Sequence, residues 1–329
     1  MTDWVDQVFC EDALAGLARI PDASIDLILT DPPYNLGKDY GNGSDQQSVA
    51  DYLAWTERWI DCALPKLKDN GSLYIFLTWR HAPEIFVMLK QRLTMMNEII
   101  WDRRVPSMGG SVRSYSSVHD TIGFFVRRKD YYFDLDAVRI PYDAATKKAR
   151  SRSIFIGAKW LEVGYNPKDL WSVSRLHREH AERVDHPTQK PLEIIERMVK
   201  ASCPPGGIVL DPFMGSGTTA LAAQRSGRHF TGFELNAEYC AVIRERLAAP
   251  QVQARKRTGT ARKKTIVEPA APAAPAAAAN LAAAATPAVP AAPVAPALAG
   301  AHAEPASATQ HGSPPARGRR NHALQGTDS

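Results

Sequence analysis

Residues 207–234 constrain the fold more tightly than any other stretch of the chain. Gly207-Ile208-Val209-Leu210-Asp211 is a short apolar run of the kind that forms a strand buried on both faces. Pro212-Phe213-Met214-Gly215-Ser216-Gly217 follows as a tight glycine loop, Thr218 to Gln224 begins a helix, and His229-Phe230-Thr231-Gly232-Phe233-Glu234 is a second strand that ends in a carboxylate. Asn236 to Leu247 closes the unit as a helix, with Asn236 as its cap.

The same alternation occurs upstream. Val8 to Cys10, Ile25 to Asp31, Ser72 to Thr78, Met96 to Trp101 and Thr121 to Val126 read as strands, while Ala13 to Ile20, Val49 to Leu67 and Pro83 to Leu93 carry helical periodicity. Strands alternating with helices predict an α/β fold: a doubly wound, mostly parallel sheet with helices on both faces. Between Arg127 and Asp185 the pattern breaks into short mixed pieces, which suits an inserted or appended substrate-reading region.

Charge and composition divide the chain further. Residues 1–250 hold 31 Lys+Arg against 32 Asp+Glu, and the remaining 79 residues hold 9 against 3, so the basic balance of the whole chain comes from its last quarter. From Ala270 to Gly300, 24 of 31 residues are Ala or Pro, which leaves little to bury and predicts a low-complexity tail outside the folded unit. Inside residues 1–250, only 101–190 is electropositive, with 17 basic and 11 acidic side chains. Such a segment faces a polyanion or is an ordinary solvated surface. Cys10, Cys62, Cys203 and Cys240 lack paired metal-site spacing, so no metal is expected, and the cysteines fit reduced structural thiols. No secretory signal or membrane-length apolar run is present, which predicts a cytoplasmic location.

Two blocks carry chemistry. A glycine loop after a buried strand brings backbone N–H groups close to a ligand at the next helix N-terminus, and a carboxylate such as Glu234 accepts both hydroxyls of a ribose. No lysine follows Gly217, so a nucleoside without a pyrophosphate fits better than a nucleotide, although a plain structural turn is the competing reading. The second block is Asp31-Pro32-Pro33-Tyr34 at a strand end. Two prolines remove two amide donors, so the Asp31 carboxylate and the Pro32 carbonyl stand as neighbouring acceptors, and Tyr34 adds a flat amphipathic face. Acceptors beside a ring suit a planar heterocycle with an exocyclic amine; a proline-rich turn with a core tyrosine is the structural alternative.

Asp31-Pro32-Pro33-Tyr34, then His186-Pro187-Thr188-Gln189-Lys190-Pro191, then Asp211 through Thr219, in that order, resemble the amino-methylating DNA methyltransferases that use S-adenosylmethionine, in the permuted (beta) subgroup whose catalytic block precedes the cofactor loop. The resemblance covers about residues 4–248. It implies that Asp211, Phe213, Gly215, Ser216, Gly217, Thr218 and Thr219 form the methionine and ribose side of a cofactor pocket, that Glu234 binds the ribose, and that Asp12 meets the adenine. Asp12 is equally a helix-starting residue. Lys190 is implied to close the pocket toward the methionine carboxylate; His186 is a weaker candidate and also reads as a turn histidine. Asp31, Pro32, Pro33 and Tyr34 are implied to be catalytic.

The implied reaction is site-specific adenine-N6 methylation of double-stranded DNA on a flipped base. The alternatives are cytosine-N4 methylation and a catalytically silent DNA-binding regulator. Phosphate contacts are expected among Arg103, Arg104, Arg113, Arg127, Arg128, Lys129, Arg139, Lys147, Lys148, Arg150 and Arg152. The division expected is a catalytic half over 1–126, a target-recognition region over 127–185, a cofactor half over 186–250 and a basic Ala/Pro-rich tail over 251–329. A homodimer and a companion restriction endonuclease are further implications of the resemblance.

Overall fold

A computed structural model describes residues 3–37, 46–105, 112–151 and 158–249; Arg152 and the tail lie outside the described residues. In chain order the elements are β1 (Gln7–Phe9), α1 (Ala13–Gly16), β2 (Ile25–Thr30), α2 (Val49–Ala63), β3 (Leu67–Leu77), α3 (Ala82–Lys90), β4 (Thr94–Asp102) and β5 (His119–Val126). They continue as α4 (Ala144–Arg150), α5 (Ala158–Val163), β6 (Leu170–Ser172), α6 (Leu192–Ser202), β7 (Ile208–Asp211), α7 (Thr218–Arg225), β8 (His229–Phe233) and α8 (Ala237–Ala248).

The eight strands among the described residues form one sheet in the order β1-β8-β7-β2-β3-β5-β4-β6. The five strands from β1 to β3 are mutually parallel. β5 runs antiparallel to both β3 and β4, so the sheet is mixed and mostly parallel, as the alternation predicts. β6, which comes from the irregular 127–185 region, pairs with β4 and completes the edge of this sheet.

Alternation along single strands explains why the apolar runs are unbroken. Leu27 and Leu29 of β2 point into a core beneath α6 and α7, while Ile28 points into a second core beneath α2 and α3. Val209 and Leu210 of β7 divide in the same way. A strand covered by helices on both faces has no solvent side to mark with polar residues. Each fully buried Leu or Ile contributes about 1.5–3 kcal/mol to this double core.

Three expected helices are shorter in the structure, the Pro83 to Leu93 segment closing at Lys90. The Val49 to Leu67 segment stops at Ala63, since Pro65 lacks the amide that would continue the helix; a 3-10 turn over Leu64–Lys66 follows, and β3 begins at Leu67. The Ala13 to Ile20 segment is one α-turn followed by a 3-10 turn, Leu17–Arg19. α8 starts as expected, with the Asn236 side chain accepting from the amides of Glu238 and Tyr239. No helix among the described residues is long and apolar enough to cross a membrane.

Candidate active site

The carboxyl ends of the five parallel strands carry a row of functional groups. Asp12 follows β1, Glu234 follows β8, Asp211 ends β7, Asp31 follows β2, and Thr78-Trp79-Arg80 follows β3. Sheet order, not sequence order, makes these residues neighbours. β2 and β7 are paired through Leu27 with Val209 and Ile28 with Leu210, so the catalytic block and the glycine loop leave the sheet side by side.

A cavity of about 200 Å³ opens at this edge. Nine of the ten cofactor candidates line it; Gly217 does not. Gly217 instead caps α7 at φ +73°, where an added Cβ would lie 2.7 Å from Ile243, so its role is to let the loop turn tightly over α8. Gly215 has φ +50°, and a Cβ there would stand 2.9 Å from Nε2 of His186. The loop therefore closes directly onto the His186 ring, which is buried, packs edge-on against Tyr239 at 4.6 Å, and accepts at Nδ1 from the Thr188 amide at 3.3 Å.

The cavity is rich in acceptors. Glu234 is held by backbone amides of Gly215 (2.7 Å) and Asn236 (2.9 Å), one on each carboxylate oxygen; burial raises its pKa against the pull of these amides. Asp211 is buried and accepts from the Phe213 amide at 3.1 Å. Burial pushes its pKa up to about 7, with the like charge of Asp31 adding to the rise and the Thr219 hydroxyl and Phe213 amide opposing it. Asp12 caps α1 by accepting from the amides of Leu14 (2.9 Å) and Ala15 (3.2 Å) and also lines the cavity. Trp55, Phe213 and Tyr239 supply aromatic walls, and Trp55 and Tyr239 were not legible as site residues in the sequence. Carboxylates, aromatic faces and a glycine loop fit a cationic sulfonium nucleoside with ribose hydroxyls and an ammonium group.

Asp31 stands at the wall between this cavity and a larger one. Its Oδ1 accepts from the Tyr34 hydroxyl and its Oδ2 from Lys190 Nζ, which also reaches the Thr188 carbonyl at 3.3 Å. The Lys190 ammonium lies 5.4 Å from the Tyr34 ring centroid and 5.3 Å from that of Phe76. The lysine that the resemblance directs toward a methionine carboxylate is thus engaged by the candidate catalytic carboxylate. Pro33 lines the cavity, and its carbonyl is taken by Tyr52 Oη at 3.0 Å. Gln189 locks the His186–Pro191 stretch to the chain before it, accepting from the Val184 amide (2.8 Å) and donating to the Glu182 carbonyl (2.7 Å).

On the other side of the wall is a cleft of about 1040 Å³ that shares Thr188, Gln189 and Lys190 with the cavity and is faced by Tyr34. Of the expected phosphate contacts among the described residues only Arg103 lines it, and that guanidinium lies 3.6 Å from Asp120 and donates to the Ser117 carbonyl at 3.1 Å. Most of the others are committed within the fold. Arg104 donates to the Ser172 hydroxyl and carbonyl, Arg127 to the Leu64 carbonyl, and Lys147 to Glu162. Arg139 is held between Asp136 and the Trp160 ring, Arg150 lies over Tyr142, and Arg128 pairs with Asp69 and Asp130. Arg113 also has a partner in the fold, while Lys129 and Lys148 are exposed away from the cleft.

A cavity walled by carboxylates and aromatic rings, with Asp31 beside it and a wide cleft sharing its rim, is the arrangement of a small-molecule site next to the site of a larger substrate. The chain belongs to the DNA methylase family N6_N4_Mtase, whose profile matches residues 25–245. It is 38% identical over 243 residues to the type II methyltransferase M.HpaI of Haemophilus parainfluenzae, covering 73% of this chain and 74% of the relative. It is 35% identical over 234 residues to the DNA adenine methyltransferase YhdJ of Escherichia coli K12, covering 69% and 78%. Among solved structures it is similar to the M1.HpyAVI–SAM complex (26% identity, TM-score 0.50, covering 73% and 98%). The cytosine-N4-specific PvuII methyltransferase shares the fold (22% identity, TM-score 0.55, covering 75% and 88%). The protein is an S-adenosylmethionine-dependent DNA methyltransferase with permuted motif order.

Proposed function

We propose that the protein methylates the exocyclic N6 amine of adenine at a specific site in duplex DNA. The observation that carries this reading is the pairing of β2 with β7, which sets the Asp31 acceptor beside the Asp211–Thr219 loop. Bound S-adenosylmethionine supplies a methyl group already activated on a sulfonium. Asp211, Glu234 and Asp12 hold the cofactor on the cavity side, with the glycine loop as its cradle. The target base leaves the duplex and enters beside Tyr34 from the cleft, since an amine inside the stack is out of reach.

An aromatic amine is a poor nucleophile because its lone pair is delocalised into the ring. Asp31 and the Pro32 carbonyl accept the amine hydrogens and favour a pyramidal nitrogen whose lone pair points toward the cavity. Tyr52 already takes the Pro33 carbonyl, so Pro32 supplies the backbone acceptor. Tyr34 replaces part of the stacking that the base loses. Lys190 holds the Asp31 carboxylate in place until the amine arrives; proton loss from the nitrogen follows bond formation.

The resemblance implies that aspartate at position 31 in the permuted order favours adenine, and the relative YhdJ is named an adenine methyltransferase. Cytosine-N4 methylation is the second reading, favoured by the shared fold of the PvuII enzyme and by a pocket whose acceptors suit either exocyclic amine. A companion restriction endonuclease is what the family resemblance implies, and the relative M.HpaI is named a type II methyltransferase. Mass analysis of nucleosides after reaction with mixed-sequence duplex DNA separates the readings: N6-methyladenine is the expected product, and N4-methylcytosine as sole product overturns the adenine assignment.

A further inference from the structure

Following the carboxyl edge one strand beyond Asp31 leads to Thr78-Trp79-Arg80 at the end of β3. Trp79 is 60% exposed, an unusual state for a large apolar ring, and it lines the cleft that Tyr34 faces. Arg80, the next residue in the chain, also lines it. Residues 175–185 contribute to the same lining, with Arg175, Arg178 and Arg183 on the cleft directly before the His186–Pro191 stretch in the chain. Among the described residues these four guanidinium groups have no carboxylate partner, unlike Arg103, which faces Asp120.

We propose that this cleft, rather than the basic run over 127–152, grips the DNA around the target nucleotide: Arg80, Arg175, Arg178 and Arg183 on its phosphates, and Trp79 stacked on a base next to the vacated position. The inference rests on the DNA methyltransferase reading and adds the residues through which DNA is held. Unpaired guanidinium groups around an exposed indole match a strand whose phosphates and base faces are both within reach. The row along the sheet then has an order: cofactor carboxylates, the transfer carboxylate Asp31, and the DNA-stacking ring.

The test uses the full chain with cognate duplex, comparing the pair Arg175→Ala/Arg178→Ala with the charge-matched control Lys129→Ala/Lys148→Ala. DNA affinity is measured across salt concentration, with S-adenosylmethionine affinity as a check on folding. Removing one arginine–phosphate interaction should flatten the slope of log affinity against log salt by about 0.9. The cleft pair should flatten it and the control pair should not; Arg175→Lys/Arg178→Lys should restore it. Trp79→Ala should weaken binding about tenfold and Trp79→Phe should keep most of it. Unchanged slope and affinity in the cleft and Trp79 variants, or a loss confined to the control pair, overturns the proposal. Failure of the parent protein to methylate DNA would instead overturn the underlying reading, so the two failures are distinguishable.

Discussion

Lys190 Nζ rests on Asp31 Oδ2, joining residues 159 positions apart where the cavity meets the larger cleft. Lys190 is buried and Asp31 is 22% exposed at its side chain; the carboxylate holds the lysine on Oδ2 and the Tyr34 hydroxyl on Oδ1, so an arriving amine must share or displace one of these donors. In the proposed reaction, a lysine in this place positions the carboxylate on which the amine is to be held.

Replacing Lys190 by Met should therefore lower the single-turnover methylation rate by about tenfold or more while leaving S-adenosylmethionine affinity within about threefold of the parent. Lys190→Arg should recover part of the rate. Cofactor affinity comes from equilibrium titration and the rate from a rapid-quench assay at saturating cofactor and DNA. A large loss of cofactor affinity with an unchanged saturated rate would assign Lys190 to the methionine carboxylate instead.

Gly215→Ala introduces a Cβ at φ +50°, 2.9 Å from His186 Nε2. The strained backbone and the contact with a buried ring should together cost about 1–3 kcal/mol, expressed as weaker cofactor binding because Gly215 also donates its amide to Glu234. Adding His186→Ala should recover the steric part and leave the backbone part. Calorimetric titration of the single and double variants checks this; additive losses would mean that His186 and Gly215 act independently.

Asp211 gives a pH prediction with a definite sign. Its folded pKa, about 7, lies above the ordinary carboxylate range because the group is buried. Below the ordinary range Asp211 is protonated folded or unfolded and costs nothing; as pH rises toward about 7, the unfolded state gains by ionising first, and stability is lost. Asp211→Asn removes this titration. Chemical denaturation without cofactor should show parent and variant closest near pH 4, with the parent losing ground to the variant up to about pH 7 and the gap constant beyond. A gap independent of pH would contradict the burial account. With cofactor present the order should reverse, since its positive charge favours the carboxylate and the amide offers none.

Much of this site was legible because each carboxylate ends an apolar run. Asp31, Asp211 and Glu234 stand where buried strands meet turns, and a strand end in a parallel sheet is where a ligand site forms. Their adjacency was not legible: β2 and β7 lie almost two hundred residues apart, and only packing of the helices on both faces sets their order in the sheet. The proposed DNA contacts show the limit of charge counting. Arg104 and Arg139 add to a positive total, yet their guanidinium groups are engaged by Ser172 and by Asp136. Arg175, Arg178 and Arg183 belong to the same positive segment, and the signal that singles them out is position: they immediately precede the His186–Pro191 stretch that closes the cofactor cavity. The lysine in that stretch was recognisable as a site residue, but which carboxylate it meets depends on the approach of β2, which sequence alone does not display.

The central claim is that Asp31 holds the amine during transfer, and single-turnover methylation by Asp31→Ala tests it most directly. With the parent and variant both saturated in S-adenosylmethionine and cognate duplex, the variant should transfer essentially no methyl group while its affinities for cofactor and DNA stay within about tenfold of the parent, because the missing interaction matters most in the transition state. Equal single-turnover rates for the two proteins would contradict the account.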